Sequence, residues 1–277
     1  MHVVVVAWTL LLLWPAARCV KPMERLLLAR GLVRENYERQ LVPTGAGLFI
    51  FVLMVVYAVA VELTGAYAGW DGGAGLPVYT LAAGIVFAAG WMDDVAGERH
   101  IKGFRGHLGH LLRRGAISTG LIKLVAICGA AFGLALAHGG AWHVILLRWL
   151  VVCMAANALN LLDLRPGRAI KAYALGVVAL SLAAPGVVVL MYSLPPLAAA
   201  LLLLPRELRC RCMLGDSGAN VLGFALGYTA ALALPVWALA LMALLLAAMH
   251  WTAERRSLSA IIERNRLLRA VDRLGRG

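Results

Sequence analysis

The chain is predicted to fold as an all-α, polytopic integral membrane protein, and three observations carry that prediction. Of its 277 residues, 62% are hydrophobic and only 14% are charged, with a mean hydropathy of +0.83. A soluble domain of this size would carry about a quarter charged residues. The apolar residues form long blocks separated by short polar loops, and blocks near ~20 residues can cross a hydrocarbon core of ~30 Å. Lys and Arg, finally, crowd into alternate loops.

Taken in order, the apolar blocks lie at about 2–17, 44–64, 76–92, 117–138, 141–159, 169–184, 186–204, 219–235 and 236–253. They predict about nine (eight to ten) transmembrane helices, the last two meeting at Pro235 with almost no loop. A signal peptide is the alternative for the first block. Its charges follow the apolar run instead of preceding it, and "PAARCVKP" is a poor cleavage site, so a membrane anchor is the better reading. With the N-terminus outside, the loops at 18–43, 93–116, 160–168 and 205–218 and the tail from 254 share one side with nearly every Lys and Arg. The opposite loops, at 65–75, 139–140 and 185, hold neither, so the basic side and the C-terminus are cytoplasmic.

The net charge of +12 is therefore gathered on one face, where it suits anionic headgroups or nucleotide phosphates. Short basic loops tied to a bilayer make nucleic acid a weak partner. The five cysteines fall in spans or on the cytoplasmic side, which implies no disulfide framework. "CRC" at 210–212 has no second pair nearby to complete a zinc site. The Gly-rich loop "TGAYAGWDGGAGLP" (64–77) follows no strand and reads as a connector.

Two parts are expected: a transmembrane domain over 1–253 and a basic amphipathic cytoplasmic tail over 254–277. In that tail Leu258, Ile261, Ile262, Leu268 and Val271 share a helical face, with Arg264, Arg266, Arg269 and Arg273 around the rest. An interfacial helix on the inner leaflet fits this pattern, and a solvated helix packed on the protein is the plainer alternative.

Chemistry is concentrated at three cytoplasmic helix ends. "GWMDDVAGERHIKGFRGH" closes the third span on Asp93 and Asp94, two repelling carboxylates at the negative end of a helix dipole, with Lys102 following. "NALNLLDLRPGRAIK" closes the fifth span on Asn157, Asn160 and Asp163. "MLGDSGANVLG" opens the eighth with Asp216. Each has a plain explanation, such as a solvated helix end or an N-cap. Three acidic motifs on one face, each beside glycine or basic residues, describe a single polar site. Carboxylate oxygens suit Mg²⁺ and basic groups suit phosphate. "GDSG" has no extracellular β-rich domain or His–Asp partners around it, which excludes a serine protease. Lys123, six residues into the fourth span, either snorkels to the interface or reaches phosphates. Arg148, in mid-span, is expected to face the bundle or a cavity, paired there with a carboxylate, and His138, His143 and His250, near helix ends, are expected to be structural.

Across roughly residues 39–235 the chain resembles the polyprenyl-phosphate N-acetylhexosamine-1-phosphate transferases, the family of the phospho-MurNAc-pentapeptide translocase and the GlcNAc-1-phosphate transferases. "WMDDVAGER" and the following "KGFRGH" resemble its Asp-Asp and Lys-Gly signatures. "NALNLLDLRPGRA" resembles Asn-x-x-Asn-Leu-x-Asp-Gly-x-Asp-Gly, "LGDSGANVLG" resembles Met-Gly-Asp-[Ser/Thr]-Gly, and "VPTGAG", with Thr44, resembles the early Pro-Thr-x-Gly-Gly. The chain departs from the pattern where Pro166 replaces the second Asp of the middle motif and Leu164 replaces its Gly. "HWTAERRSLS" also stands where the pentapeptide enzymes carry a histidine cluster, which favours a smaller donor, UDP-GlcNAc first.

The resemblance implies an enzyme that transfers HexNAc-1-phosphate from a UDP-sugar to polyprenyl (undecaprenyl) phosphate and releases UMP in cell-envelope polysaccharide synthesis. It implies Mg²⁺, with Mn²⁺ as a substitute, and membrane lipid as surroundings; a homodimer is compatible with it. Asp93, Asp94, Asp163 and Asp216 would be catalytic, with Asp216 and Asp93 on the metal. Asn157, Asn160, Lys102, Lys123 and Thr44 would bind substrate. Two rivals belong to other classes. An ion-coupled transporter would place ionisable groups near the midplane, and a catalytically divergent scaffold of the same family is suggested by Pro166.

Overall fold

The computed structural model describes residues 1–69, 75–96 and 118–276. Helix α1 (His2–Ala29) leads into a small hairpin of β1 (Val33–Glu35) and β2 (Leu41–Pro43), followed by α2 (Gly47–Ala68) and α3 (Leu76–Ala96). Next come α4 (Thr119–Ala137), α5 (Trp142–Leu162), α6 (Arg168–Ala183), α7 (Val187–Leu208), α8 (Gly215–Ala233) and α9 (Val236–Arg255). Two short helices, α10 (Leu258–Arg264) and α11 (Arg266–Arg273), form the tail.

Seven of the eleven helices among the described residues are long and apolar enough to cross a membrane: α1 to α5, α7 and α9. The other two long helices have physical reasons to differ. At 16 residues, α6 rises only ~24 Å. α8 opens on Asp216 and Ser217 and also carries Asn220 and Thr229. It is the centre of the bundle: every residue from Ser217 to Ala231 is buried. Glycines let its neighbours approach. A Cβ on Gly47 of α2 would sit 2.2 Å from the backbone nitrogen of Gly218, and one on Gly223 would sit 2.3 Å from the Ala155 carbonyl of α5. Packing of small residues lets helices associate where lipid removes the hydrophobic driving force. α9 is the opposite case, burying only Leu239 and Ala243.

The hairpin was not anticipated by the all-α reading. β1 and β2 pair antiparallel with Arg34 opposite Val42. The Asn36 side-chain oxygen accepts from the N–H groups of Glu38 and Gln40, both at 2.9 Å, which closes the turn. That is the Asx-type hydrogen bonding that makes Asn a turn residue. The first helix also runs longer than the apolar block at 2–17, continuing through Pro22 to Ala29. Its extension carries Glu24, 6% exposed, which receives Nε of Arg206 of α7 at 2.5 Å and its Nη2 as well.

Among the described residues, Arg148 pairs with no carboxylate. Its Nη1 donates to the Gly139 carbonyl in the α4–α5 turn at 3.0 Å, so the side chain reaches back toward the end of its helix. The tail is two helices broken at Asn265, whose side chain caps α11 by accepting from Leu267 and Leu268 N–H. It docks through its polar side. Asp272, 4% exposed, accepts from Arg168 at 2.8 and 3.0 Å and from Arg276 at 2.8 and 3.1 Å. Leu267 and Leu274 point outward, 73% and 69% exposed.

Candidate functional site

The site assembles where the end of α3, the start of α4, the end of α5 and the start of α8 meet. Adjacent residues on a helix project about 100° apart, so Asp93 and Asp94 turn to different neighbours. Asp93 faces α4: its Oδ1 accepts from the Thr119 hydroxyl at 2.5 Å and its Oδ2 from the Lys123 ammonium at 2.7 Å. Thr119 and Lys123 lie one helical turn apart, on one face. The same ammonium also donates to Asp216 Oδ2. Two carboxylates from distant motifs therefore converge on one positive nitrogen, and all three groups are largely buried, at 14–26% exposure. Lys123 reaches into the site and does not snorkel away from it.

Asp94, 5% exposed, faces α8. Its oxygens accept from the backbone N–H of Asp216 at 2.8 Å, the backbone N–H of Ser217 at 3.0 Å and the Ser217 hydroxyl at 2.6 Å. Two further carboxylates complete this arrangement. Asp163, the residue that ends α5, faces the Gly215 N–H. Glu207 of α7, 3% exposed, accepts from the Leu214 N–H at 3.0 Å through Oε1 and from the Gly167 N–H at 3.1 Å through Oε2. Three backbone N–H groups, those of 214, 216 and 217, are thus taken by carboxylates from two other helices, and the fourth, at 215, faces Asp163. They are the orphan donors of a helix start, at the positive end of its dipole. The turn requires glycine at 215, where φ is +75° and a Cβ would lie 2.6 Å from Asp94 Oδ2.

Burial, and then the nearby Glu207, Asp216 and Asp94, push the Asp163 carboxyl well above the usual carboxylate range. The "VPTGAG" segment is stitched alongside. Pro43 accepts from the Met213 N–H at 2.7 Å, while Ala46 and Gly47 N–H donate to Met213 and Leu214 carbonyls, both at 3.1 Å. Thr44 is buried in this seam. Arg34 of the hairpin donates to the Asp93 carbonyl, and Arg165 stacks over the Tyr37 ring at 4.5 Å.

Asp93, Asp94, Asp163, Asp216, Lys123 and the Thr44 segment are therefore brought together. Asn160 is half-buried and Asn157 exposed at the end of α5, and neither amide side chain makes a hydrogen bond among the described residues. Lys102 and the rest of the basic loop at 97–117 lie outside the described residues. Glu207, Thr119 and Arg34 were not singled out from the sequence. Thr119 was findable, four residues before Lys123 on one helix face. Glu207 was not, since an acid between two arginines at a helix end reads as solvated.

Among the described residues, no three His, Cys, Asp or Glu side chains converge into a metal cage. Asp93 and Asp216 are nonetheless hard oxygen donors sharing one cation. Mg²⁺ is commonly held by one or two carboxylates together with substrate phosphates, so the residues fit that ion. No protein-family model matches the chain, and no curated protein does either.

Proposed function

We propose that the protein is a Mg²⁺-dependent glycosyl-1-phosphate transferase of the cell membrane, with its site on the cytoplasmic face. It moves a sugar-1-phosphate, HexNAc-1-phosphate first, from a UDP-sugar to polyprenyl phosphate. The observation that carries this reading is the meeting of Asp93 and Asp216 on the Lys123 ammonium, beside a helix start clamped by Asp94. Such a site can neutralise and align phosphates, which is most of what phosphoryl transfer asks of a protein.

In the proposed reaction a phosphate oxygen of the lipid attacks the β-phosphorus of the UDP-sugar. The bond from that phosphorus to the oxygen shared with the α-phosphate breaks, and UMP leaves. Asp93 and Asp216 would hold the Mg²⁺, which when bound supplies positive charge to the diphosphate oxygens. Asp93 also orients the lipid phosphate or takes its proton. Lys123 offers a second cation to phosphate oxygens. Asp94, with three donors on its two oxygens, fixes α8 and hence Asp216. Asn160, Asn157 and the Asp163 turn border the nucleotide, and Lys102 and the Thr44 segment bound the phosphates. A groove between helices carries the lipid tail, which is why a soluble donor would be handled inside a membrane protein. Nine crossings, with the N-terminus outside, belong to the same proposal.

The test is UMP release by the purified full-length protein with undecaprenyl phosphate, Mg²⁺ and a panel of UDP-sugars. Turnover with one donor, lost in Asp216→Asn and Asp94→Asn, is the expected result. A folded preparation that releases no UMP from any donor refutes the reading.

A further inference from the structure

We propose that Glu207 is a positioning residue of the transfer site, an inference that rests on the transferase reading. Glu207 sits at the cytoplasmic end of α7, outside every motif that marks the site. Its two carboxylate oxygens bind two different turns, one through the Gly167 N–H and one through the Leu214 N–H. Gly167 lies four residues after Asp163, and Leu214 lies two residues before Asp216. One buried side chain therefore joins the turn that follows α5 to the turn that opens α8. Both are segments whose carboxylates must be held in register.

The chemistry of the side chain suits this task and few others. Both oxygens are acceptors, and each is occupied by a backbone donor. A carboxylate can accept at both ends at once, whereas an amide of the same size accepts at one and donates at the other. At 3% exposure the group faces no solvent that could replace a lost partner. Charge compensation comes from the same neighbourhood. Arg276 and Lys171 offset part of the cost of burying this charge. Arg276 donates to the Pro166 carbonyl at 2.8 Å, and Lys171 donates to the carbonyls of Val271, Asp272 and Leu274. The docked tail thus supports the turn that Glu207 ties down.

The experiment compares Glu207→Gln with wild type in full-length protein, by UMP release, thermal unfolding and amide exchange of the segments 163–168 and 213–217. In Glu207→Gln one backbone N–H meets an amide N–H₂, so exchange quickens in the segment left facing that donor, and the two turns lose their common tie. With reacting groups displaced by an ångström or so, turnover falls on the order of 10²-fold. The loss falls in kcat and not in KM for the lipid phosphate, whose tail binds elsewhere. Glu24→Gln is the control: it breaks the ion pair to Arg206, next to Glu207 on the same helix, and lowers stability while keeping the wild-type rate. If Glu207→Gln does not accumulate, Glu207→Asp keeps the charge but shortens the reach, and it should show the same loss in smaller degree. An active wild type with a Glu207 variant no slower than Glu24→Gln overturns the positioning role alone. A wild type without turnover on any donor overturns it together with the transferase reading.

Discussion

Replacing Asp94 by Asn is the sharpest perturbation of the site, because it changes charge and hydrogen bonding while keeping shape. Asp94 Oδ2 accepts from the Ser217 N–H and hydroxyl, and Oδ1 accepts from the Asp216 N–H. An Asn that keeps its oxygen toward Ser217 turns its N–H₂ toward the Asp216 N–H, two donors facing each other at the 2.8 Å spacing of the original bond. One charge-assisted bond is lost and two become neutral, a combined cost of about 3–5 kcal/mol for a buried group. The first turn of α8, and with it Asp216, then loosens. Thermal unfolding in detergent should show a clearly lowered midpoint, and UMP release should be abolished. Ser217→Ala removes only the hydroxyl donor and should cost about 1 kcal/mol with most activity kept. Asp94→Asn with wild-type stability and rate would refute the claim that this carboxylate holds the helix start.

The remaining predictions concern other parts of the structure. Gly47→Ala places a methyl 2.2 Å from the Gly218 nitrogen, which forces α2 from α8 at a cost of about 1–3 kcal/mol or more; an unchanged unfolding midpoint would contradict that packing. Lys123→Met leaves Asp93 and Asp216 without their shared cation, and UMP release should fall on the order of 10²-fold, measured at saturating Mg²⁺ and donor. The tail should detach in acid. Burial opposes ionisation of Asp272, but the Arg168 and Arg276 hydrogen bonds outweigh it and hold the carboxyl down at about 2. Its stabilising contribution is full above the ordinary Asp value of about 3.9 and is lost as pH falls from there through about 2. Asp272→Asn should free the tail at neutral pH, read as faster proteolysis after residue 256, and equal cleavage in both proteins would count against the clamp.

Several features of this protein were decided by the amino-acid sequence alone. Long apolar blocks foretold helices long and apolar enough to cross a membrane, seven of them among the described residues, and placed the acidic motifs at helix ends, because length and hydropathy are local quantities. Helical periodicity also dictates that Asp93 and Asp94 cannot point the same way. What lies in each direction is a long-range matter. Asp94 meets the Asp216 N–H across 122 residues, and Lys123 meets the Asp216 carboxylate across 93. The first meeting depends on glycine-mediated approach of α3 to α8, where a Cβ on Gly90 would lie 2.7 Å from the Ser217 Cα, and no local pattern encodes it. Glu207 shows the limit most clearly. In sequence it is an acid between two arginines; in the folded chain its burial and its two backbone donors make it the link between two turns. The adjacent aspartates at the negative end of α3 are no longer an anomaly either. The compensating charge is the positive start of α8 for one and the Lys123 ammonium for the other, and only tertiary packing brings both within reach.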